Sequence, residues 1–408
     1  MSSEWRTAKL VDVAAKKRWA LNGGPFGSKL SRKHYSESGV PVIRGTNLSA
    51  DTKFSFDDFV YVSEEKADEL RANNAHPGDL IFTQRGTIGQ VGLIPFESPI
   101  PRFVISQSQM KLTVDPEQAD ALFLYYFFTA ADTVQKIQNL AFAAGVPHIN
   151  LDILRKFETP VPPLGVQRRI AGILSAYDEL MENSQRRIRL LEAMARALYR
   201  ECIREDGDST SVKGILETDY WTFISANVSP YGGTKRYYAT ADIEGLAVQG
   251  AGIDYTFAEK PSRAQKQPTP FSLWFARMKD TYKIAWYSEV NAQSADSTIL
   301  SSGFAGFQAV EPLYFPLLFL TVSSKEFHAQ KDLYCTGATQ MSLTNEGLSI
   351  IEVPAPTKRA ARRLGERTLP LLNQILVLQL RIQNLRRTRD LLLPRLLSGQ
   401  VSLAVNGT

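Results

Sequence analysis

The feature that most constrains the fold of this 408-residue chain is a pair of long helix-forming stretches that repeat 194 residues apart. Residues 160–166 read PVPPLGV and residues 354–358 read PAPTK, and each segment opens a charged stretch with heptad spacing of apolar side chains. A Pro-x-Pro segment cannot continue a preceding helix, so each one predicts an extended lead-in to a helix. A period of half the chain predicts a duplicated architecture with more than one core.

Each predicted helix carries a single apolar stripe, which needs a partner to cover it. Because the two stripes match each other, we predict an antiparallel coiled coil between residues 167–203 and 361–397. Pro370 predicts a kink in the second helix or its start, Pro394 a break near its end, and Gly399 a terminator. The predicted packing residues are Leu174, Met181, Ile188, Leu191 and Leu198 in the first helix, and Leu371, Ile375, Leu378, Ile382, Leu385 and Leu392 in the second.

The segments before the two helices are related as well. The segment at 78–95 resembles that at 270–287, because each has an apolar strand, a polar turn with basic residues and a second apolar strand. Aromatic and aliphatic runs follow at 123–128 and 313–322. We therefore predict the α+β class: two mixed α/β lobes separated by two long antiparallel coiled-coil helices, with a pseudo-twofold internal repeat. The predicted domains are lobe one at 1–160, a spacer helix at 161–204, lobe two at 205–356, and a second spacer helix with a C-terminal tail at 357–408.

The composition does not indicate a disulfide-linked fold, a zinc site or a membrane-spanning segment. Cys202 and Cys335 are the two cysteines, and they have no partners at zinc-ligand spacing, which fits a reducing cytoplasm. The N-terminal residues lack the apolar core of a signal peptide, and the apolar run at 313–322 is too short to span a bilayer. We therefore expect a cytoplasmic protein with no metal site and no membrane partner.

Motifs for catalysis are missing from the sequence. It contains no GxxxxGK[ST] phosphate loop, no GxGxxG turn that opens a βαβ unit, and no Asn-Pro-Pro-Tyr or Asp-Pro-Pro-Tyr tetrapeptide of an amino-methyltransferase. The four histidines are scattered, and no Ser-His-Asp constellation is indicated. We expect no catalytic residues and no bound cofactor in this chain.

The net charge of +5 is distributed unevenly. Residues 1–166 have no net charge and residues 205–357 carry −6, whereas the helical segments 167–204 and 358–408 carry +3 and +8. Charge runs on helices usually form solvated faces, so their arginines are expected at solvent or at a protein partner rather than at phosphate. The acidic balance of lobe two requires that any nucleic-acid face there be segregated from the carboxylates.

Several motifs of the chain resemble those of the specificity subunits of type I restriction-modification systems. They are GGPFGSKL at 23–30, VPVIRGTNL at 40–48, the hairpin segment at 78–95, GVPHINLDILRKFETPVPPL at 145–164, the first helix up to residue 192, and RDLLLPRLLSGQV at 389–401. The resemblance covers essentially the whole chain in the family's order. It is strongest in the helices and lobe one, and lobe two departs from it most around residues 234–268.

The resemblance implies that each lobe is a target recognition domain that reads one half of a bipartite double-stranded DNA target. It also implies that the helices space the two halves and dock two methyltransferase subunits, and that motor-nuclease subunits join the complex. S-adenosylmethionine, ATP and Mg²⁺ would then belong to those partners. Two alternatives remain open: a specificity factor of a stand-alone methylation or phage-exclusion system, and a coiled-coil scaffold that binds no DNA.

Reading DNA requires side chains that match base edges or phosphates, on turns that can enter a groove. In lobe one the predicted contacts are Ser28, Lys29 and Lys33 of a basic turn, Gln84, Arg85 and Thr87 of a hairpin turn, and Gln107 and Gln109 beside a strand. Alternation along that strand should turn half of residues 106–109 toward the core. In lobe two the predicted contacts are Lys235, Arg236, Tyr237, Arg263, Lys266, Arg277 and Lys279. The competing interpretation for each is an ordinary solvated turn.

Overall fold

A computed structural model describes residues 5–48, 52–143, 148–205 and 211–401. The chain forms two compact units, one of Met1–Leu180 with Leu385–Thr408 and the other of Met181–Asn384. Each unit thus combines one lobe with parts of both long helices. The predicted C-terminal tail beyond residue 401, and residues 145–147 of the GVPHIN motif, lie outside the described residues.

The first unit contains the following elements. Its strands are β1 (Arg6–Lys9), β2 (Leu21–Gly23), β3 (Tyr35–Ser36), β4 (Val40–Ile43), β5 (Val60–Val62), β6 (Asn74–Ala75), β7 (Leu80–Thr83), β8 (Val91–Leu93), β9 (Phe103–Ile105), β10 (Gln109–Leu112) and β11 (Glu158–Val161). Its helices are α1 (Glu64–Glu69), α2 (Ala121–Thr129), α3 (Ala131–Ala143), α4 (Leu151–Lys156) and α5 (Leu164–Glu205), the last of which continues into the second unit.

The strands of lobe one form two larger sheets and one ladder. A four-stranded antiparallel sheet has the order β2-β10-β7-β8, and a five-stranded sheet has the order β3-β5-β4-β9-β6 with β4 and β9 parallel. The ladder pairs β1 with β11, which brings the start of the lobe beside the residues that lead into α5. Phe82 of β7 and Phe128 of α2 are buried and meet edge to face, so the α2 helix covers one face of the four-stranded sheet.

The second unit contains the remaining elements. Its strands are β12 (Ser211–Gly214), β13 (Trp221–Phe223), β14 (Lys235–Tyr238), β15 (Ile243–Glu244), β16 (Ala247–Val248), β17 (Ile253–Tyr255), β18 (Ala264–Lys266), β19 (Ser272–Ala276), β20 (Ile284–Trp286), β21 (Thr298–Ser301), β22 (Phe304–Ala309), β23 (Cys335–Thr336), β24 (Ser342–Leu343) and β25 (Glu352–Ala355). Its helices are α6 (Ala292–Asp296), α7 (Phe315–Val322), α8 (Lys325–Leu333), α9 (Asn345–Ile350) and α10 (Lys358–Leu397), whose last residues belong to the first unit.

The second unit repeats the topology of the first. Its four-stranded sheets have the orders β13-β22-β19-β20 and β17-β14-β21-β18, with β14 and β21 parallel as β4 and β9 are. The offset of 194 residues seen in the sequence separates Leu164 from Lys358, the first residues of α5 and α10. It also separates the starts of β11 and β25 and those of α4 and α9. The predicted α+β class and internal repeat are confirmed.

The two long helices are antiparallel in each unit. In the first unit the early part of α5 lies beside the late part of α10, where Asp178 accepts a hydrogen bond from Arg389 at 2.7 Å. In the second unit the end of α5 lies beside the start of α10, where Glu201 pairs with Arg367 at 3.2 Å. The predicted antiparallel pairing is confirmed. Among the described residues, the structure has no helix long and apolar enough to cross a membrane.

Most of the predicted packing residues, which form the apolar stripes of the two helices, are buried or partly buried in the structure. Leu174, Met181, Ile375 and Leu378 are buried, and Ile188, Leu191, Leu198, Leu371 and Leu392 pack partly buried against the cores. Ile382 and Leu385 are half-buried and join no core cluster of the described residues. The α10 helix runs through both Pro370 and Pro394, so neither proline bounds it, and Gly399 follows with a φ of 72° as a terminator requires.

A polar network joins lobe one to the helix pair inside the first unit. The hydroxyl of Tyr126 donates to Oδ2 of Asp178 at 2.5 Å, and Oδ1 accepts from Arg389 at 2.7 Å. The ammonium of Lys53 lies 3.7 Å from the same carboxylate. Burial, followed by the negative charge of Asp178, raises the pKa of Tyr126, so its hydroxyl stays protonated and donates. Helices α2, α5 and α10 are therefore tied together through one carboxylate.

The second unit has an apolar core at the corresponding place. The positions that lie 194 residues from the three members of the network on α2, α5 and α10 are Leu320, Leu372 and Ala195. All three are buried in one hydrophobic cluster. A directional network fixes which groups face each other, whereas an apolar contact tolerates small shifts. The two repeats therefore hold their helices with different interactions on the same scaffold.

We predict that Asp178→Ala lowers the free energy of unfolding by about 2–3 kcal/mol, because it leaves the guanidinium of Arg389 and the hydroxyl of Tyr126 without their shared acceptor. Tyr126→Phe removes one hydrogen bond and should cost about 1 kcal/mol. Urea denaturation of the purified chain measures both variants. Equal losses for the two variants would show that the carboxylate does not organise the network.

Candidate nucleic-acid interface

Three turns of lobe one meet where the strands of its four-stranded sheet end. The first turn, residues 26–30, follows β2; the second, residues 84–88, joins β7 to β8; and the third, residues 106–108, precedes β10. Because β10 lies between β2 and β7 in the sheet, its turn has the other two as neighbours. We call these residues the three-turn surface.

Hydrogen bonds to the third turn hold the other two in place. The amide of Gln107 donates to the backbone carbonyls of Gly27 and Leu30, the latter at 2.6 Å. The backbone N–H of Gln84 donates to the carbonyl of Ser108 at 2.7 Å. Both links run to backbone atoms, so they fix the course of the chain and leave other side chains free to face outward.

Two glycines make this arrangement sterically accessible. A Cβ on Gly24 would lie 2.1 Å from the carbonyl oxygen of Ser106, so the first turn can approach the third only with glycine there. Gly86, at the tip of the second turn, has a φ of 99°, a conformation that other residues rarely adopt. The glycines of these motifs thus serve backbone geometry.

The predicted basic and hydroxyl residues of the three-turn surface face solvent. Ser28, Lys29, Arg85 and Thr87 are exposed, as is Lys33 just beyond the first turn. In the part of the chain that the structure describes, none of these five side chains forms a hydrogen bond or an ion pair with another residue. Phosphate and base-edge contacts need such uncommitted donors, so the surface has the chemistry of a DNA contact.

The glutamines of this region have structural roles. Gln109 opens β10, is 1% exposed and accepts a hydrogen bond from Ser106, so its side chain lies inside the lobe and not on the surface where a DNA contact was predicted. The strand's alternation places it inside the sheet, between β2 and β7. Gln107 is exposed, but both of its donor contacts go to the first turn. Gln84 is half-buried beside it.

In lobe two, the basic cluster on β14 is held by the lobe's own residues. Arg236 makes a two-pronged ion pair with Asp254, at 2.7 and 2.8 Å, and hydrogen bonding to that carboxylate raises the pKa of Arg236. Lys235 donates to Gln267 at 2.7 Å and lies 5.2 Å from the ring centroid of Tyr231. These cations stabilise the lobe, and DNA contact would require them to change partners.

Two further predicted contacts of lobe two are bound to backbone carbonyls. The ammonium of Lys266 donates to the carbonyl of Ser225 at 3.1 Å, and the guanidinium of Arg277 donates to that of Leu343 at 3.0 Å. A second nitrogen of Arg277 donates to the side chain of Asn345 at 2.9 Å. Burial lowers the pKa of both Lys266 and Arg277. These hydrogen bonds hold loops of lobe two in place, so Lys266 and Arg277 are not free cations.

The last three predicted contacts differ in exposure. Lys279 is half-buried, with its ammonium 3.9 Å from the sulfur of Met341, and Tyr237 is half-buried with its ring 6.3 Å from that of Tyr255. Arg263 is exposed, and its guanidinium has no hydrogen bond or ion pair to another described residue. Arg263 is therefore the predicted residue of lobe two best placed to meet a phosphate or a base edge.

The structure also brings forward a residue that the sequence analysis did not single out. Phe26 stands in the first turn of the three-turn surface and is 88% exposed. A signal for it was present in the sequence, because an apolar residue between Pro25 and Gly27 has no strand or helix in which to be buried. Among the described residues there is no group of three or more His, Cys, Asp or Glu side chains that could hold a metal ion.

Comparison with known sequences finds similar proteins for the first half of the chain. Residues 2–193 match the family model of the type I restriction modification DNA specificity domain. The type I restriction enzyme MjaIX specificity subunit of Methanocaldococcus jannaschii is 23% identical over 204 residues, 48% of this chain and 43% of the relative. The MjaVIII specificity subunit of that organism is 28% identical over 98 residues, 24% of this chain and 23% of the relative. The chain thus matches less than half the length of these relatives.

Comparison of structures extends the likeness to both units. The crystal structure of the type I restriction-modification system S subunit from M. genitalium matches 97% of this chain and 96% of its own. The TM-score is 0.59 at 16% sequence identity. A likeness at this identity shows that the two chains share a fold.

We predict that Gln107→Ala loosens the first turn, because two hydrogen bonds to its backbone are lost together. Hydrogen exchange of the amides in residues 26–30 should accelerate by about thirtyfold, since the two bonds together contribute about 2 kcal/mol. Gln135→Ala is the matched control, because Gln135 lies exposed on α3 and bonds only to Asn139 of the same helix. Unchanged exchange in Gln107→Ala would mean that other contacts define the turn.

Proposed function

We propose that this chain is the DNA-recognition subunit of a type I restriction-modification complex, because residues 2–193 match the model of type I restriction modification DNA specificity domains and the whole chain shares its fold with a type I S subunit. Each lobe reads one half of a bipartite double-stranded target, and the chain docks two methyltransferase subunits. The observation that carries the proposal is the duplicated lobe, one scaffold used twice with different side chains at equivalent turns.

The hairpin turns of the two lobes are equivalent in position and different in chemistry. Single β-bridges join Arg85 to His148 in lobe one and Met278 to Ser342 in lobe two, at the same points of the hairpins β7–β8 and β19–β20. The hairpin turn of lobe one therefore has the guanidinium of Arg85, which can pair with guanine or phosphate, where that of lobe two has the thioether of Met278. Different side chains at equivalent points suit a protein that reads two different half-sites.

The docking of two identical partners is supported by a groove that occurs once in each unit. In the first unit the groove is lined by α2, α3, β11 and the end of α10, and in the second by α7, α8, β25 and the end of α5. These elements correspond at the 194-residue offset. Leu393 and Leu397 line the first groove where Tyr199 and Ile203 line the second. A repeated surface suits two copies of one protein.

The chemistry of the complex resides in its other subunits under this proposal. The methyltransferase subunits hold S-adenosylmethionine, and the motor-nuclease subunits hold ATP and Mg²⁺. This chain contributes recognition without catalysis, in the cytoplasm. The sequence motifs of those activities are missing from it.

We predict that the complex of this chain with its methyltransferase binds duplex DNA with an affinity that falls steeply with salt, since phosphate contacts release counterions. Arg85→Ala should weaken binding by about tenfold, because the free guanidinium of the three-turn surface is lost. Arg236→Ala is the control, because that guanidinium is already bound to Asp254, and it should change the affinity less than twofold.

Titration of labelled duplex at several salt concentrations measures both effects. Salt-independent binding, or no binding by the intact complex, would favour the coiled-coil scaffold over the DNA reader. A larger loss for Arg236→Ala than for Arg85→Ala would move the DNA contact away from the three-turn surface.

A further inference from the structure

Phe26 is the most exposed of the large apolar side chains in the described part of the chain, at 88%. It takes no part in the hydrophobic clusters of lobe one. Exposing a phenyl ring to water opposes folding, since burial would remove its apolar surface from solvent. The fold of lobe one therefore offers no reason for a phenylalanine at this position.

The turn that carries Phe26 has a defined backbone. Phe26 is extended, with a φ of −77° and a ψ of 142°, and Gly27 follows with a φ of 57°. The N–H of Lys29 donates to the carbonyl of Phe26 at 3.3 Å, and Gln107 binds the carbonyls of Gly27 and Leu30. The ring is thus presented from a braced turn, which lowers the entropy lost when it binds.

A segment of similar sequence in lobe two has its aromatic side chain covered. The segment PYGGTK at 230–235 resembles PFGSK at 25–29, and it also has an aromatic residue directly after a proline. Tyr231 packs on Phe257 with 5.5 Å between ring centroids, and its hydroxyl donates to the carbonyl of Tyr255 at 3.0 Å. Lobe two covers this aromatic residue with its own side chains, whereas lobe one leaves it bare.

The neighbourhood of Phe26 suits DNA better than a protein partner. Among the described residues, no second large apolar side chain of the three-turn surface is exposed, and the exposed neighbours include Ser28, Lys29, Arg85 and Thr87. Protein interfaces gather several apolar anchors into one buried core. Proteins that distort DNA instead insert single apolar side chains between base pairs, with cations on the flanking phosphates.

We propose that Phe26 is a wedge that inserts its ring between two stacked base pairs of the half-site read by lobe one, while Lys29 meets a flanking phosphate. This inference rests on the proposed function of the chain as a DNA reader. Pyrimidine–purine steps unstack most easily, so the wedge favours targets with such a step at the point of insertion. It would add specificity at a position that no hydrogen-bonding side chain reads.

The test uses the complex with its methyltransferase on the target found by methylation mapping. 2-Aminopurine, whose fluorescence rises when it loses stacking, replaces bases one at a time along the half-site of lobe one. The methylated adenine is left unlabelled, because a methyltransferase takes that base out of the stack by itself. Variants are Phe26→Ala, Phe26→Leu and the matched control Phe96→Ala, which alters a 63%-exposed phenylalanine of the same lobe outside the three-turn surface.

The wedge predicts a several-fold rise in fluorescence at one step with the unchanged protein and with Phe96→Ala. Phe26→Ala should abolish that rise and weaken the affinity by about tenfold, and Phe26→Leu should keep part of both. Unaltered fluorescence and affinity in Phe26→Ala would overturn the wedge while leaving the DNA reader intact. Loss of the methyltransferase from the Phe26→Ala complex would also overturn it, since Phe26 would then be a protein anchor. Salt-dependent DNA binding by the unchanged complex is the separate check on the proposed function.

Discussion

Burial of one apolar stripe on each long helix is the constraint on which the rest of the structure depends. A helix with a single apolar face must be covered, and in each unit the covering surface is the other helix together with the lobe's own core. The β1–β11 and β12–β25 ladders then bring each lobe's first strand against the strand that leads into a helix. The position of each lobe's turns therefore follows from how its sheets and helices pack.

The two repeats satisfy this constraint in different ways. The first unit uses the carboxylate of Asp178, which accepts from Arg389 and Tyr126, where the second has buried Leu320, Leu372 and Ala195. A partly buried ionic network contributes little net stability compared with an apolar core of similar volume, but it specifies which groups face each other. We interpret the network around Asp178 as the interaction that fixes the register of α2, α5 and α10 in the first unit. The scaffold is shared, and the interactions that fix it have diverged along with the side chains of the turns.

The sequence predicted the architecture well because helix periodicity and the 194-residue offset are properties of nearby or repeated residues. It predicted individual contacts poorly, because charge alone does not show a distant partner. Arg236 pairs with Asp254 on the neighbouring strand, and Arg277 donates to the carbonyl of Leu343, 66 residues away in the sequence. Gln109 is buried because strand register, set by β2 and β7, decides which residues face inward. Phe26 was not predicted because polar and basic side chains were taken as the mark of a DNA contact, although its position between Pro25 and Gly27 placed an apolar residue in a turn.

The central claim is that the two lobes read two separate DNA half-sites. Genome-wide mapping of methylated adenine in cells that express this chain with its methyltransferase tests it most directly. If each lobe reads one half-site, the map will contain a split motif, in which two short defined sequences flank a gap of fixed length. A continuous motif with no gap, or the absence of any new methylated motif when all partners are present and soluble, would contradict it.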